Sequence, residues 1–172
     1  MAHASLETPS VWVVRWAPLV THGPVLDVAS GAGRHARFFA GRGLEAVAVD
    51  REPQVIPGVR FVKADLEDGS PWPFAAQRFG GIVVTNYLHR ALFPALAGSL
   101  DENGILIYET FMVGNERFGK PSNPNFLLRP GELLQAFGAL TVVAFEQGQV
   151  EKAVVQRICA IRGDASRVRI PS

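Results

Sequence analysis

Three aspartates and a glycine-rich loop are the residues whose types and spacing suggest ligand chemistry. Asp27 lies within a short apolar run, Asp50 and Asp65 each end one, and the loop Ser30–Gly33 follows the first run. Glycine lets the backbone approach a ligand closely, and the start of the following helix attracts a carboxylate or phosphate. Asp50 can accept hydrogen bonds from both hydroxyls of a ribose, and Asp65 can accept one from an exocyclic amine such as that of adenine. These residues predict a nucleoside site.

The elements that must bring these residues together are strands of a parallel sheet. Apolar runs rich in β-branched residues alternate with helical stretches. The predicted strands are Val25–Ala29, Glu45–Val49, Val59–Ala64, Ile82–Thr85 and Ile105–Glu109, with a turn at Asn103–Gly104 and helices over His35–Ala40 and Ala91–Leu100. These runs are hydrophobic on both faces, as strands covered by helices on both sides must be. The pattern predicts a doubly wound α/β fold, which binds ligands outside the carboxyl ends of its strands.

The C-terminal part of the chain has a different pattern. Leu140–Glu146 and Val154–Ile161 are long β-rich runs with only a polar connection, centred on Gly148, between them. No helix fits there, so we expect an antiparallel hairpin. Residues 1–172 are therefore predicted to form a single domain with a Rossmann-like seven-stranded sheet, mostly parallel.

A short helix is predicted within residues 1–20, before the first strand. Ser10 can cap a helix over Val11–Ala17, which Pro18 ends. Trp12 and Trp16 lie four residues apart and share one face of it. We expect this face to pack on the sheet; the alternative is that it folds over the ligand crevice.

Two kinds of nucleoside cofactor fit the acids and the loop. Gly31-Ala-Gly-Arg-His-Ala36 matches G-x-G-x-x-A, and Asp50 lies near the position of the acid in nicotinamide-dinucleotide folds. Asp27 argues against a dinucleotide, because it lies where a pyrophosphate would arrive. The chain is also short for a dinucleotide domain plus a substrate domain. A nucleoside that carries an amino acid has no pyrophosphate, and its ammonium group suits an acid at this place.

Five stretches resemble, in order and spacing, the motifs of class I S-adenosylmethionine-dependent methyltransferases. Val25-Leu-Asp-Val-Ala-Ser-Gly-Ala-Gly-Arg-His35 resembles motif I. The next three motifs are similar to Ala46–Asp50, Val62–Leu66 and Gly81–Tyr87, and Asn103–Thr110 is similar to the fifth strand with its preceding turn. The resemblance covers about Val25 to Glu109, and the terminal hairpin fits the family's sheet. Within the family, Gly33-Arg34 and the following helix look most like small bacterial tellurite-resistance-type methyltransferases.

The resemblance implies S-adenosylmethionine as cofactor, S-adenosylhomocysteine as product, and in-line transfer of the methyl group to a small-molecule acceptor. By this resemblance Asp27 would orient the loop near the methionine ammonium, and Asp50 would bind the ribose. Asp65 and the Leu66 backbone would bind adenine. The other residues placed at the cofactor are Ala29, Gly31, Gly33, Arg34, His35, Arg51, Asn86 and Tyr87. Asn86 and Tyr87 would lie beside the sulfonium.

Two positions depart from the family's pattern. Ala29 replaces the first glycine of the loop, which we expect to be tolerated only if its φ is below zero. Gly80 stands where an acid is usual just before the fourth strand. Neither change removes a ligand-binding group. Two alternatives to a methyltransferase stay open: a nicotinamide-dinucleotide-dependent oxidoreductase, and a protein of this fold that binds the nucleoside without catalysis and regulates a partner.

Tyr87 and His89 are the candidate catalytic residues. Alignment with an already activated sulfonium can supply most of the rate, and a base is needed only if the nucleophile must lose a proton. His89 is the nearest candidate base, the alternative being a helix-start histidine bonded to backbone. Tyr87 can offer its ring to the sulfonium or only wall the pocket.

The loop Phe111–Arg129 is the longest in the chain and is expected to form the acceptor site. Loops of this length in compact domains are often functional. Its aromatic residues, which favour a lid, are Phe111, Phe118 and Phe126. Its cations suggest a small anionic acceptor, the alternative being a solvated basic loop: Arg117, Lys120 and Arg129.

Composition and charge exclude several classes of protein. A formal net charge of +1 argues against nucleic acid as a partner, and 48% hydrophobic residues argue against disorder. Cys159 is the only cysteine, so no disulfide framework or cysteine-based zinc site is expected, and no metal site is predicted. No apolar run approaches the roughly 18–20 residues that span a bilayer. We expect a cytoplasmic protein without a membrane partner, in which His3 and His22 are exposed; nothing here sets its oligomeric state.

Overall fold

Seven strands form one sheet in the computed structural model, which describes residues 7–172 and therefore leaves His3 outside. The strands are β1 (Val25–Val28), β2 (Ala46–Asp50), β3 (Arg60–Lys63), β4 (Phe79–Thr85), β5 (Leu100–Phe111), β6 (Thr141–Val150) and β7 (Ala153–Ile161). Their order across the sheet is β3-β2-β1-β4-β5-β7-β6. β1 to β5 are parallel, and β7 is antiparallel to both β5 and β6. The predicted mixed sheet with its C-terminal hairpin is confirmed.

Helices cover both faces of the sheet. They are α1 (Val11–Trp16), α2 (Arg34–Gly41), α3 (Phe93–Gly98) and α4 (Glu132–Ala136). Trp12 and Trp16 of α1 are each 2% exposed and pack with Phe39 of α2 against one face. Leu96 of α3 and Phe137, which follows α4, pack against the other face. The two tryptophans therefore pack on the sheet, as predicted, and this face of the helix does not fold over the ligand crevice.

Several predicted boundaries are wrong. β4 begins at Phe79 rather than Ile82, and the predicted helix over Ala91–Leu100 ends at Gly98 because Leu100 already belongs to β5. Asn103–Gly104 is not a separate turn before the fifth strand. It is an irregularity inside β5, where Asn103 has a left-handed φ of 62°.

The hairpin turn also lies elsewhere than predicted. Gly148 pairs with Val155 within the ladder, and the chain reverses at residues 151–152, where Glu151 takes a φ of 52°. The polar composition of the segment indicated a turn, although polar residues on an edge strand are equally compatible with pairing. Helix α4, which follows the long loop, has no counterpart in the prediction.

Two buried titratable residues join α2 to the rest of the fold. Asp27 of β1 is 2% exposed, its Oδ2 accepts the N–H of Ala36 at 2.9 Å, and burial raises its pKa to about 7. His35 is also 2% exposed, and burial lowers its pKa to about 3. Its Nε2 accepts the N–H of Ser10 at 3.0 Å, which places the proton of the neutral ring on Nδ1, 3.5 Å from the hydroxyl of Thr85.

Gly80 is required by packing. A Cβ at this position would overlap the carbonyl oxygen of His22, which explains why no acid can stand here. We expect Gly80→Ala to lower the free energy of unfolding by about 3 kcal/mol, because one of the two backbones must move. Urea denaturation measures the change.

Gly98 offers the matched control. It ends α3, and a Cβ there would meet nothing within 4 Å. Gly98→Ala is expected to leave the free energy of unfolding unchanged or to raise it by up to about 1 kcal/mol, since glycine weakens a helix. Equal losses in both variants would contradict the packing explanation.

Asp27 and His35 are expected to change the free energy of unfolding in opposite directions as the pH changes. The folded pKa of Asp27, about 7, lies above its ordinary value of 3.8, so its contribution is lost as pH rises from about 4 to 7. The folded pKa of His35, about 3, lies below its ordinary value of 6.5, so its contribution is lost as pH falls from 6.5 to 3. The two slopes partly cancel in the natural protein.

Single substitutions should separate the two slopes. We expect Asp27→Asn to gain stability relative to the natural protein by up to about 1.4 kcal/mol per pH unit between pH 4.5 and 6.5, and to level off above pH 7. His35→Gln should change in the opposite direction over the same interval. Denaturation series at half-unit pH steps measure both, and curves parallel to that of the natural protein would refute the assignment of buried, neutral side chains.

Candidate functional site

A cavity of about 570 Å³ opens at the carboxyl ends of the parallel strands. Neighbouring strands β1 and β4 mark the point where the strand order reverses, and doubly wound folds bind ligands there. The volume is in the range of small-molecule sites. Seven of the predicted site residues line it: Ala29, Asp50, Arg51, Asp65, Leu66, Asn86 and Tyr87.

The loop after β1 turns sharply through left-handed residues. Gly31 has a φ of 54° and Gly33 one of 81°. Ala29 has a φ of 53°, so the expectation that its φ would lie below zero is wrong. Strand β2 helps to fix this turn, because the N–H of Ser30 donates to the carbonyl of Val49 at 3.0 Å. The surrounding structure holds Ala29 in a conformation that disfavours a side chain by about 1–2 kcal/mol.

Asp50, at the end of β2, ties this loop to the sheet. Its Oδ2 accepts the N–H of Gly31 at 2.9 Å, and its Oδ1 accepts the N–H of Glu52 at 2.9 Å. Each oxygen keeps a second lone pair for a ligand. Asp50 therefore shapes the loop and lines the cavity at once.

Asp65, beyond the end of β3, lines the cavity from the next strand along. Its Oδ1 accepts the N–H of Glu67 at 2.9 Å, an arrangement that fixes the direction of the carboxylate. Leu66 and Arg51 line the cavity beside it. Residues 51–59 and 64–78, which follow the two strands, contain no helix, and both segments contribute residues to the cavity lining. Residues 64–78 also border a second cavity, of about 630 Å³, with Trp72 and Lys63 in its wall.

Tyr87 lies in the cavity wall after β4. Its backbone carbonyl accepts the hydroxyl of the buried Tyr108 at 2.7 Å, and its own hydroxyl donates to Oε2 of Glu67 at 3.2 Å. Burial, followed by the charge of Glu67, raises the pKa of Tyr87 above its ordinary value. The phenol therefore stays protonated at neutral pH and does not serve as a base there. Asn86 adopts a left-handed φ of 55° at the strand end.

His89 does not line either cavity. Its Nδ1 lies 3.8 Å from Oε1 of Glu67. The other carboxylate oxygen of Glu67, Oε2, accepts the hydrogen bond from the Tyr87 hydroxyl. Glu67 thus contacts both candidate catalytic residues and lines the cavity itself, yet sequence reasoning missed it. The signal in the sequence that could have indicated Glu67 is its position two residues after Asp65, which is itself a predicted ligand-binding residue at a strand end.

The remaining predicted cofactor residues lie outside the cavity lining. Asp27 and His35 are buried beneath the loop, and Gly31 supports it. Gly33 faces Ile56 so closely that a Cβ would overlap that side chain. Arg34 donates from Nη1 to the carbonyl of Thr8 at 3.0 Å, toward the N-terminal segment.

Glu109, at the carboxyl end of β5, holds the N-terminal helix instead of facing the cavity. Its Oε1 accepts the hydroxyl of Ser10 at 2.7 Å, and its Oε2 accepts Nη1 of Arg157 at 3.0 Å. Arg157 also pairs with Glu146 at 2.8 Å and lies 4.9 Å from the ring centroid of Trp12. These contacts fasten α1 beside the site.

The long loop contributes apolar residues to the cavity and no cation. Phe111, Pro121 and Phe126 line the cavity, whereas Phe118 is 41% exposed outside it. The cations of the loop do other things: Arg117 donates to its own loop at Gly114, and Arg129 lies 3.7 Å from Glu132. Lys120 is likewise absent from the lining. The structure therefore brings none of the cations suggested for an anionic acceptor into this cavity.

Within residues 7–172, no three or more His, Cys, Asp or Glu side chains are grouped to hold a metal ion. No helix in the same range has the length and apolar character needed to cross a membrane.

Comparison with known proteins gives matches in structure alone. No family model matches the chain, and no curated protein does. TehB from Haemophilus influenzae matches with a TM-score of 0.67 and 14% identity; the match covers 87% of this chain and 61% of that one. The chain thus spans less than two thirds of TehB.

Two ligand-bound methyltransferases match over more of their length. Magnesium protoporphyrin IX methyltransferase from Synechocystis, with bound S-adenosylhomocysteine, matches with a TM-score of 0.64 and 13% identity, over 94% of this chain and 81% of that one. The 1,6-didemethyltoxoflavin N1-methyltransferase of Burkholderia thailandensis matches with a TM-score of 0.63 and 19% identity, over 89% and 76%. The chain has the fold of the class I S-adenosylmethionine-dependent methyltransferases.

Proposed function

We propose that this protein transfers the methyl group of S-adenosylmethionine to a small-molecule acceptor. One observation carries the proposal: Asp50 and Asp65, at the ends of adjacent strands, line a single cavity beside the left-handed loop after β1. This is the arrangement that a ribose, an adenine and an amino-acid tail require. The bound S-adenosylhomocysteine of two structural neighbours supports the same cofactor.

The charges of the cavity fit this cofactor better than a dinucleotide. Three carboxylates line it, from Asp50, Asp65 and Glu67, against the single guanidinium of Arg51 in the described part of the chain. A cationic sulfonium is attracted to such a site, whereas a pyrophosphate is repelled. The nicotinamide-dependent alternative therefore has less support.

The chain's own residues have distinct proposed roles. Asp50 would accept the ribose hydroxyls while it holds the Gly31 backbone, and Asp65 with the Leu66 backbone would hold adenine. Asn86 and Tyr87 would wall the sulfonium end. When bound, the cofactor supplies an already activated methyl group, so orientation carries most of the rate. His89 lies behind Glu67 and would act through it, as a positioning residue.

Titration calorimetry with S-adenosylmethionine, S-adenosylhomocysteine and NADH tests the proposal. We expect micromolar binding of both adenosyl compounds, about −8 kcal/mol, and no binding of NADH. NADH binding alone would establish the dinucleotide alternative. Binding of the adenosyl compounds without turnover on any acceptor would favour the non-catalytic alternative.

Asp50→Ala tests the ribose assignment. We expect it to weaken S-adenosylhomocysteine binding by about 1–3 kcal/mol, because bound hydroxyls lose their acceptor and the Gly31 N–H loses its partner. Asp164→Ala is the control, since Asp164 also caps a turn, at the N–H of Ser166, but far along the chain from the cavity. Unchanged affinity in Asp50→Ala, with the fold intact by circular dichroism, would remove Asp50 from the site.

A further inference from the structure

The part of the cavity formed by the long loop has an apolar wall. The apolar residues that line the cavity include Leu88 and Phe111, together with Pro121 and Phe126 of the loop itself. Phe126 is 52% exposed, so a large ring lies at the rim with half of its surface free. An apolar or aromatic molecule would bury this surface, and aromatic rings are effective at holding such ligands.

Thr110 supplies a polar group within this wall. The residue is only 2% exposed and lines the cavity. In the described part of the chain no side chain or backbone group forms a hydrogen bond with its hydroxyl. Among the described residues, the one buried side-chain polar atom left without a hydrogen-bond partner is Nε1 of Trp16, so the Thr110 hydroxyl is open to the cavity, where a ligand can bond to it.

Glu67 supplies the charge. Its Oε2 accepts a hydrogen bond from the Tyr87 hydroxyl at 3.2 Å, its Oε1 lies 3.8 Å from Nδ1 of His89, and its side chain is 48% exposed. A carboxylate held by neighbours from a separate strand end is prepared to bind a cation. Among the described residues, the only cation that lines the same cavity is Arg51, which lies 3.9 Å from Glu52 and is 73% exposed.

We propose that the acceptor is a molecule with a flat apolar body and a cationic amine, and that Glu67 and Thr110 are its polar contacts. The inference rests on the proposed methyl transfer and specifies its substrate class. The Glu67 carboxylate binds the amine, the Thr110 hydroxyl takes a second polar contact, and Phe111 with Phe126 encloses the body. An anionic acid of the same shape is rejected, because it would face Glu67 without a compensating cation.

Three probes with one indole body and different charge test this selection. They are tryptamine, which is cationic, tryptophol, which is neutral, and indole-3-propionate, which is anionic. Each is titrated into the protein saturated with S-adenosylhomocysteine, whose own binding is measured first. We expect tryptamine to bind at least about tenfold more tightly than tryptophol, and indole-3-propionate to bind most weakly.

Variants assign the selection to residues. Glu67→Gln should weaken tryptamine binding about tenfold and leave tryptophol within about twofold. Thr110→Val should weaken both about threefold to tenfold. Glu45→Gln is the control, because this exposed carboxylate lines neither cavity. If the only role of Glu67 were to orient Tyr87, Glu67→Gln would weaken the binding of tryptamine and of tryptophol by the same factor. Tyr87→Phe would then weaken both by that factor too.

The possible failures are distinguishable. No binding of S-adenosylhomocysteine would overturn the proposed function itself. Normal S-adenosylhomocysteine binding with no binding of any probe, with equal affinity for the three, or with preference for the anion would overturn the acceptor class alone. A Glu67→Gln variant that keeps the full preference for tryptamine would also overturn the role of Glu67.

Discussion

The hydrogen bond from the Gly31 N–H to the Asp50 carboxylate is the contact on which the site depends. It joins the loop after β1 to the end of β2, so that two separate strand ends become one surface. The loop can reach Asp50 only because Ala29, Gly31 and Gly33 all turn through left-handed conformations. The strain at Ala29 is stored there because the sheet and the Asp50 carboxylate fix the turn on both sides.

Two buried side chains support this loop from below. Asp27 accepts the Ala36 N–H at the start of α2, and His35 accepts the Ser10 N–H and faces Thr85. Neither side chain needs to be charged for these bonds, and burial disfavours the charged forms. Glu109 differs from these two residues, because its carboxylate has a charged partner. It is also only slightly exposed, but the Arg157 guanidinium and the Ser10 hydroxyl pair it. The N-terminal helix is therefore tied to the same end of the sheet that carries the cavity.

The sequence predicts those features of the fold that depend on the local pattern of apolar and polar residues. Buried parallel strands are recognisable as apolar runs, and an acid at the end of such a run lies at the carboxyl end of the sheet. This is why the sequence predicts the positions of Asp50 and Asp65, both of which line the cavity. The sequence does not predict that Glu67 and Thr110 line the cavity, because this placement depends on strand ends that are far apart in the chain. His35 was assigned to the cofactor from its place in the loop motif, but only the fold reveals that α1 occupies that side. The turn at Glu151 was misplaced for a similar reason: the ladder with β7 extends past Gly148 and decides where the chain reverses.

In the proposed reaction one cavity must hold two molecules, the cofactor and the acceptor, and the charge distribution bears on both. The carboxylates near the strand ends favour a cation there, and the same preference extends to Glu67 in front of the apolar wall. In the proposed reaction an ammonium nitrogen has no lone pair with which to attack the methyl group, so the bound amine must first release a proton to water. In the proposed site, Glu67 would stabilise the ammonium form on entry, with its carboxylate hydrogen-bonded by the Tyr87 hydroxyl. Binding and reaction would then favour opposite protonation states of the acceptor, and the rate should rise with pH while the affinity falls.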